Sequence, residues 1–280
     1  MKKGRLLFFV IVSVLLVIGG IMLLYFTSDY YHSHLIVSAV QYEDLSKVEK
    51  LVEKYPTAID EFPTILPRRV RIIMDMYAPK NPLLAACNIE NYEIAEYLIN
   101  AGADINVQDD IVGNTPLITC FQGDTDQSYR IAELLLDRGA DASKTRTSNG
   151  DYDALETCIM RIITETDEER ADGERLFLKM LRSVDQETYD YGRLMRGCIM
   201  FHDTVSMELL FENSSFDVNE YTCNGKSALI YAVQIANPSK DIVELLISNG
   251  AQKAYSDKDG KTAYDYAVEN GNTEIAEILK

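Results

Sequence analysis

Apolar residues fall at helical spacing in blocks that recur along the chain. Ile94 and Leu98 in one block, and Ile131, Leu134 and Leu135 in the next, place an apolar stripe on one face of a helix. A short apolar run precedes each stripe, Asn81-Pro82-Leu83-Leu84-Ala85-Ala86-Cys87 and then Thr115-Pro116-Leu117, and a polar turn follows, Gly102-Ala103-Asp104-Ile105-Asn106 and then Gly139-Ala140-Asp141. The order returns near the C-terminus as Ser227-Ala228-Leu229, Ile242-Val243-Glu244-Leu245-Leu246-Ile247 and Gly250-Ala251-Gln252, then as Gly260-Lys261-Thr262-Ala263 and Ile275-Ala276-Glu277-Ile278-Leu279. A period of about 33 residues predicts a stack of small units that bury apolar faces against their neighbours and present an extended surface instead of an enclosed pocket.

Each part of the unit has a physical reason. Proline at the first helical position costs no hydrogen bond, since that N–H is unpaired anyway, and its fixed φ suits the helix. Thr115 and Thr262 are placed to cap the helices that follow. Gly102, Gly139 and Gly250 sit where the chain leaves the second helix, a place that favours positive φ. Unit starts fall near Asn81, Thr115, Asp153, Arg193, Ser227 and Thr262. The third and fourth are worn: Asp153-Ala154-Leu155 keeps the leucine, and Met207-Glu208-Leu209-Leu210-Phe211 keeps the second helix. Leu35 to Lys54 holds two short helical patterns that read as a worn first unit, so six to seven units are expected.

With its opening Thr-Pro-Leu turn and its closing Gly-Ala-Asp, the unit resembles the ankyrin repeat, specifically over 81–144 and 224–280 and loosely elsewhere. The fold implied is all-α, a solenoid of helix-turn-helix units.

The front of the chain is different. Leu6 to Phe26 is apolar and uncharged, long enough at about 1.5 Å per residue to cross a hydrocarbon core of roughly 30 Å. A cleaved signal peptide has a shorter apolar region and a small-x-small site, and Tyr25-Phe26-Thr27-Ser28-Asp29 offers none. An uncleaved transmembrane anchor is therefore expected. Lys2, Lys3 and Arg5 precede it and Asp29 and His32 follow, which places the N-terminus inside the cytoplasmic membrane and the repeats outside, in the periplasm of a bacterium. The organisation reads as 1–28 anchor, 29–80 juxtamembrane segment with the worn first unit and an insertion, and 81–280 repeat domain. The insertion, from Asp60 to Lys80, carries Pro63, Pro67, Pro79 and a basic run and is expected to be a loop or hairpin. Thr164 to Glu174 is strongly acidic and is expected to be a solvated loop.

Acidic residues outnumber basic ones by 44 to 27, a formal net charge of −17. Such a balance opposes nucleic acid or an anionic membrane surface as ligand and keeps the repeat domain soluble. Of five cysteines, Cys120, Cys158 and Cys198 share one repeat position with Ala86, Ala232 and Ala267, and Cys87 follows one residue later. They read as small buried fillers. Stacked helices lie about 8–10 Å apart, beyond the roughly 7 Å Cα limit of a disulfide, so no disulfide framework is expected. Cys223 sits in a turn and reads as a candidate exposed thiol.

Nothing in the residue pattern marks an enzyme. His32, His34 and His202 make no metal-ligand spacing, and there is no phosphate loop and no nucleophile elbow, so no catalytic residue, metal, cofactor or small-molecule substrate is expected. The ankyrin resemblance implies instead a protein partner, bound in a concave groove formed by turn tips and the exposed side of the first helices. The tip positions are Asp110, Ile111 and Val112, then Lys144, Thr145 and Arg146, then Tyr221 and Asn224, and finally Asp257, Lys258 and Asp259. The first-helix positions are Leu84, Ile118, Glu156, Arg196, Ile230 and Asp265, with Tyr231 and Tyr266 beside them as groove anchors or as packing between units. The layout is similar to that of anchored ankyrin proteins that neutralise a secreted toxic effector, or that support a resident envelope enzyme.

Overall fold

A computed structural model describes residues 28–61, 81–109, 112–145, 152–164, 167–214, 216–219 and 225–280. The expected anchor, most of the Asp60–Lys80 insertion and Cys223 lie outside these residues. Among the described residues there are fourteen α-helices and no strand, and no helix is long and apolar enough to cross a membrane. The chain divides into two compact units, 1–138 with 147–149, and 139–146 with 150–280.

The first unit holds three helix pairs: α1 (Asp29–Gln41) with α2 (Leu45–Lys54), α3 (Pro82–Asn88) with α4 (Tyr92–Asn100), and α5 (Pro116–Cys120) with α6 (Asp126–Asp137). The first helices pack in a row, α1 on α3 on α5, and the second helices in a parallel row, α2 on α4 on α6. The worn first unit is thus a full member, beginning at Asp29, earlier than its sequence pattern marks. The second unit has four pairs, packed in a first-helix row and a second-helix row of its own: α7 (Ala154–Ile162) with α8 (Asp167–Ser183), α9 (Tyr191–Phe201) with α10 (Thr204–Asn213), α11 (Ala228–Gln234) with α12 (Lys240–Ser248), and α13 (Ala263–Glu269) with α14 (Thr273–Leu279).

Caps fix where each helix begins. Asn81 accepts from Leu83 N at 2.8 Å, Thr115 from Ile118 N at 3.2 Å and Ser227 from Ile230 N at 3.3 Å. Gly102, Gly139 and Gly250 take φ of +93°, +85° and +91°, a left-handed exit from the second helix that a side chain would strain. At α6 the cap is borrowed. Thr125 makes no capping bond of its own, and Glu90 of the preceding pair supplies its carboxylate to Asp124 N at 3.2 Å, Thr125 N at 3.0 Å and the Thr125 hydroxyl. A Cβ at Gly123 would come within 2.8 Å of that carboxylate, which is why no side chain stands there.

Two expectations are corrected. The acidic stretch expected to be a loop is the front of α8: no Gly or Pro interrupts it before Gly173, and carboxylates near a helix N-terminus favour the helix dipole. The fourth start, near Arg193, lies inside α9, which begins a turn earlier under an Asp190 cap bonded to Arg193 N at 3.1 Å. Cys198 nevertheless stays at the shared filler position.

Cys87, Cys120, Cys158 and Cys198 are buried and form no disulfide, as their alignment with alanine requires. Leu135 is fully buried within the second-helix row. Leu135→Ala is expected to cost about 2–5 kcal/mol in denaturant melts, from lost transfer energy plus an unfilled cavity.

Candidate interaction site

Leu84, Ile118 and Ile230 are buried and lie in the core, so these first-helix positions hold neighbouring helices together and do not face the groove. Glu156 is buried as well. The reason is helical phase: these residues stand three after the cap, on a buried side of the first helix, whereas seven after the cap Asn88, Gln122 and Glu269 are exposed and Gln234 is half-buried. In the second unit this row contains Tyr231 and Gln234 on α11, Tyr266 and Glu269 on α13 and, aligned by the Cys198 filler and not by the cap, Gly197 and Met200 on α9; Met200 is 49% exposed. Arg196 is half-buried beside it. Tyr231 and Tyr266 are half-buried, serving both packing and surface.

The tips are shaped by aspartates. Asp109 accepts from Val112 N at 2.8 Å and Asn114 N at 2.7 Å, closing one tip over Gly113. Asp257 does the same at another, accepting from Asp259 N at 3.0 Å, Lys261 N at 3.1 Å and the Tyr266 hydroxyl at 2.7 Å. Those bonds hold its carboxyl below the usual range, the Tyr266 hydroxyl foremost. At 7% exposure Asp257 is an organiser of the turn and not the exposed tip contact expected from sequence. Lys258 and Asp259 are the exposed residues of that tip. Val112 is exposed, Lys144 and Thr145 are half-buried, and Asp265 closes a capping box with Thr262. Asp110, Ile111, Arg146, Tyr221 and Asn224 lie outside the described residues.

In three of the pairs a rung links the residue before the cap to the residue seven after it. Asn114 Nδ2 donates to Gln122 Oε1 at 3.2 Å. At the equivalent places Lys226 Nζ donates to Gln234 Oε1, and Lys261 Nζ pairs with both oxygens of Glu269 at 2.6 and 2.7 Å. The two ammonium groups lie 6.0 and 5.3 Å from the Tyr266 ring centroid. The eight-residue spacing was present in the sequence, but no periodicity of apolar residues marks it.

A buried polar cluster joins the α7–α8 and α9–α10 pairs. Asp153 caps α7 in a reciprocal box with Glu156. Its Oδ2 also accepts from the Tyr189 hydroxyl at 2.7 Å and from Arg193 at 2.8 Å, while Arg193 Nε lies 3.1 Å from Glu156 Oε2. Two carboxylates thus share one guanidinium. Burial, then the neighbouring Asp153 charge, pushes Glu156 up to about 7. Asp153 is also raised, by burial first. Among the described residues no three His, Cys, Asp or Glu gather as a metal site.

The rows of paired helices, the caps and the left-handed exits define a repeat protein. A family profile described as ankyrin repeats in three copies matches residues 35–146 and 194–280, and the chain belongs to the ankyrin-repeat family. The Escherichia coli (strain K12) ankyrin repeat protein YahD is 25% identical to it over 224 residues, covering 79% of this chain and 89% of YahD. The crystal structure of EF0377, an ankyrin repeat protein, matches with a TM-score of 0.57 at 25% identity, over 70% of this chain and 95% of EF0377. The ankyrin domain of Bcl-3, a member of the IkappaB protein family, matches with a TM-score of 0.62 at 20% identity, over 88% of this chain and 97% of that domain, a likeness of fold. Ankyrin-repeat domains in general mediate protein–protein contacts and are not enzymes.

Because Glu156 holds its proton about to pH 7 when folded but only to its ordinary range near 4.5 when unfolded, the folded state binds the extra proton between those values. Stability contributed by this group is therefore present below that range and lost as pH rises through 7. Glu156→Gln removes the loss: its melting temperature relative to the parent is expected to rise steadily from pH 5 to pH 8, measured by circular dichroism.

Proposed function

We propose that this chain is a membrane-tethered module that binds a folded protein partner through the outward row of first helices in 150–280 and the Lys258 tip beside it. The observation that carries the reading is the row itself: Met200, Tyr231 and Tyr266 offer apolar and aromatic area at successive helices, on backbone held rigid by caps and buried fillers. Tyrosine and methionine suit this role, supplying contact area at low entropy cost or adapting to an irregular partner. The tether is Leu6 to Phe26, with Lys2, Lys3 and Arg5 held inside the cytoplasmic membrane and the repeats outside. The narrower form of the reading is an antidote to a secreted effector, and its rival is a scaffold for a resident envelope enzyme. Finding a toxic effector encoded beside this gene would favour the first, and finding none would favour the second.

Two measurements check the reading. A photo-crosslinking residue at Met200 in the full chain is expected to capture a discrete protein partner, and one at Glu208, on exposed α10 in the other row, is not. Capture only from Glu208 moves the binding face to the second helices. A reporter enzyme active only outside the cytoplasm, fused after Lys280, is expected to be active and to stay with membranes; an inactive reporter inverts the orientation, and a soluble active product shows cleavage.

A further inference from the structure

The rungs of the outward row differ in one respect that bears on what the row binds. Lys261 is neutralised by its own rung partner, Glu269, at 2.6 Å. Lys226 occupies the same place one pair earlier, and its rung partner is Gln234, a neutral amide. Among the described residues no carboxylate lies within 4.0 Å of the Lys226 ammonium. The nearby Asp257 carboxylate is already engaged by Tyr266 and by two backbone N–H groups. In a chain with formal charge −17, the Lys226 ammonium thus has a neutral hydrogen-bond partner on a surface of half-exposed aromatics, with the Asp257 carboxylate near it but outside ion-pair distance.

The position of Gln234 and Glu269 on the preceding pair is held by Met200, which is 49% exposed. Along successive first helices the row therefore reads an apolar side chain on α9, then before α11 a cation with no ion-pair partner among the described residues, then before α13 a cation paired with Glu269. α9 packs on α11, and α11 on α13, so these are adjacent steps. Neighbouring helices are about 8–10 Å apart, and an extended chain advances about 3.3 Å per residue, so one step of the row corresponds to about three residues of a bound strand.

We propose that this row binds an extended acidic segment of the protein partner, one of its carboxylates completing Lys226 and an apolar side chain about three residues away packing on Met200. The inference rests on the reading that this face is the protein-binding face. The Tyr266 ring centroid lies 6.0 Å from the Lys226 ammonium, so a partner carboxylate bonded there makes a charge-assisted bond beside an aromatic surface. A basic segment meets the opposite arrangement, since the exposed carboxylate of the row, on Glu269, is already paired with Lys261.

The test uses the full chain in detergent and three fluorescein-labelled decapeptides with Leu and Glu, Leu and Gln, or Leu and Lys three residues apart, read by fluorescence anisotropy in low salt. The Glu peptide is expected to bind about tenfold tighter than the Gln peptide, and the Lys peptide weakest. Gln234→Glu supplies an internal carboxylate like that of Glu269 and is expected to bring the Glu peptide down to the affinity of the Gln peptide, with the melting temperature unchanged or raised. Met200→Glu is expected to weaken the Glu and Gln peptides alike. Equal binding of the Glu and Gln peptides, or a Gln234→Glu variant that keeps the preference, overturns the acidic specificity while Met200 dependence preserves the face. Binding indifferent to both substitutions, or no saturable binding of the Glu peptide, overturns the proposal, and the crosslinking pattern from Met200 and Glu208 then decides separately whether the face binds protein at all.

Discussion

The structure depends on one constraint: a pair of short helices cannot bury its own apolar face. α3 is seven residues long and α5 five, and Pro82 to Cys87 and Pro116 to Cys120 are buried throughout. Helices this short are marginal alone, because nucleation is costly and only a few hydrogen bonds follow it. Their neighbours supply what is missing, so each pair is stable only as part of a row. The alanine and cysteine fillers follow from that, since close approach between first helices leaves no room for a larger side chain at Ala86, Cys120, Cys158, Cys198, Ala232 or Ala267.

Polar groups do the remaining work of positioning, and they do it across pairs. Glu90 caps a helix in the next pair, and Arg193, at the place where other pairs carry a cap, reaches back to the Asp153 cap and to Glu156. An inward-facing ion cluster of this kind is weak evidence of stability, because desolvation offsets much of the attraction. Its consequence is specificity. The α7–α8 and α9–α10 pairs lack the Thr-Pro-Leu opening, and the cluster gives their first helices a fixed register in its absence.

The outward row inherits its rigidity from this framework. Asp257 fixes the tip and the Tyr266 hydroxyl together, so ring and turn move as one body. The Lys226 and Lys261 rungs lie over that ring. A surface held in this way gives up little conformational entropy on binding, which is the physical basis for recognition by a rigid repeat surface.

Much of the fold was legible in the sequence because its causes are local. Helical stripes at Ile94 and Leu98, prolines at the first turn, threonine caps and exit glycines act through neighbours within a few residues, and they predicted the pairs and the all-α class. The cysteines were legible too, because they alternate with alanine at one position. The acidic front of α8 was misread because charge density resembles a loop, whereas the helix dipole favours it at that end. The surface was less legible. Leu84, Ile118 and Ile230 were assigned to the groove and are buried, since the choice between facing a groove and facing the next pair turns on one helical step that only packing fixes. Asp257 likewise became a turn organiser through bonds from Lys261 and Tyr266, and the Arg193 cluster joins residues 36 to 40 positions apart. Sequence alone determined the unit and its repetition; tertiary structure decided which side of each helix is surface, because burial belongs to the stack and not to the residue.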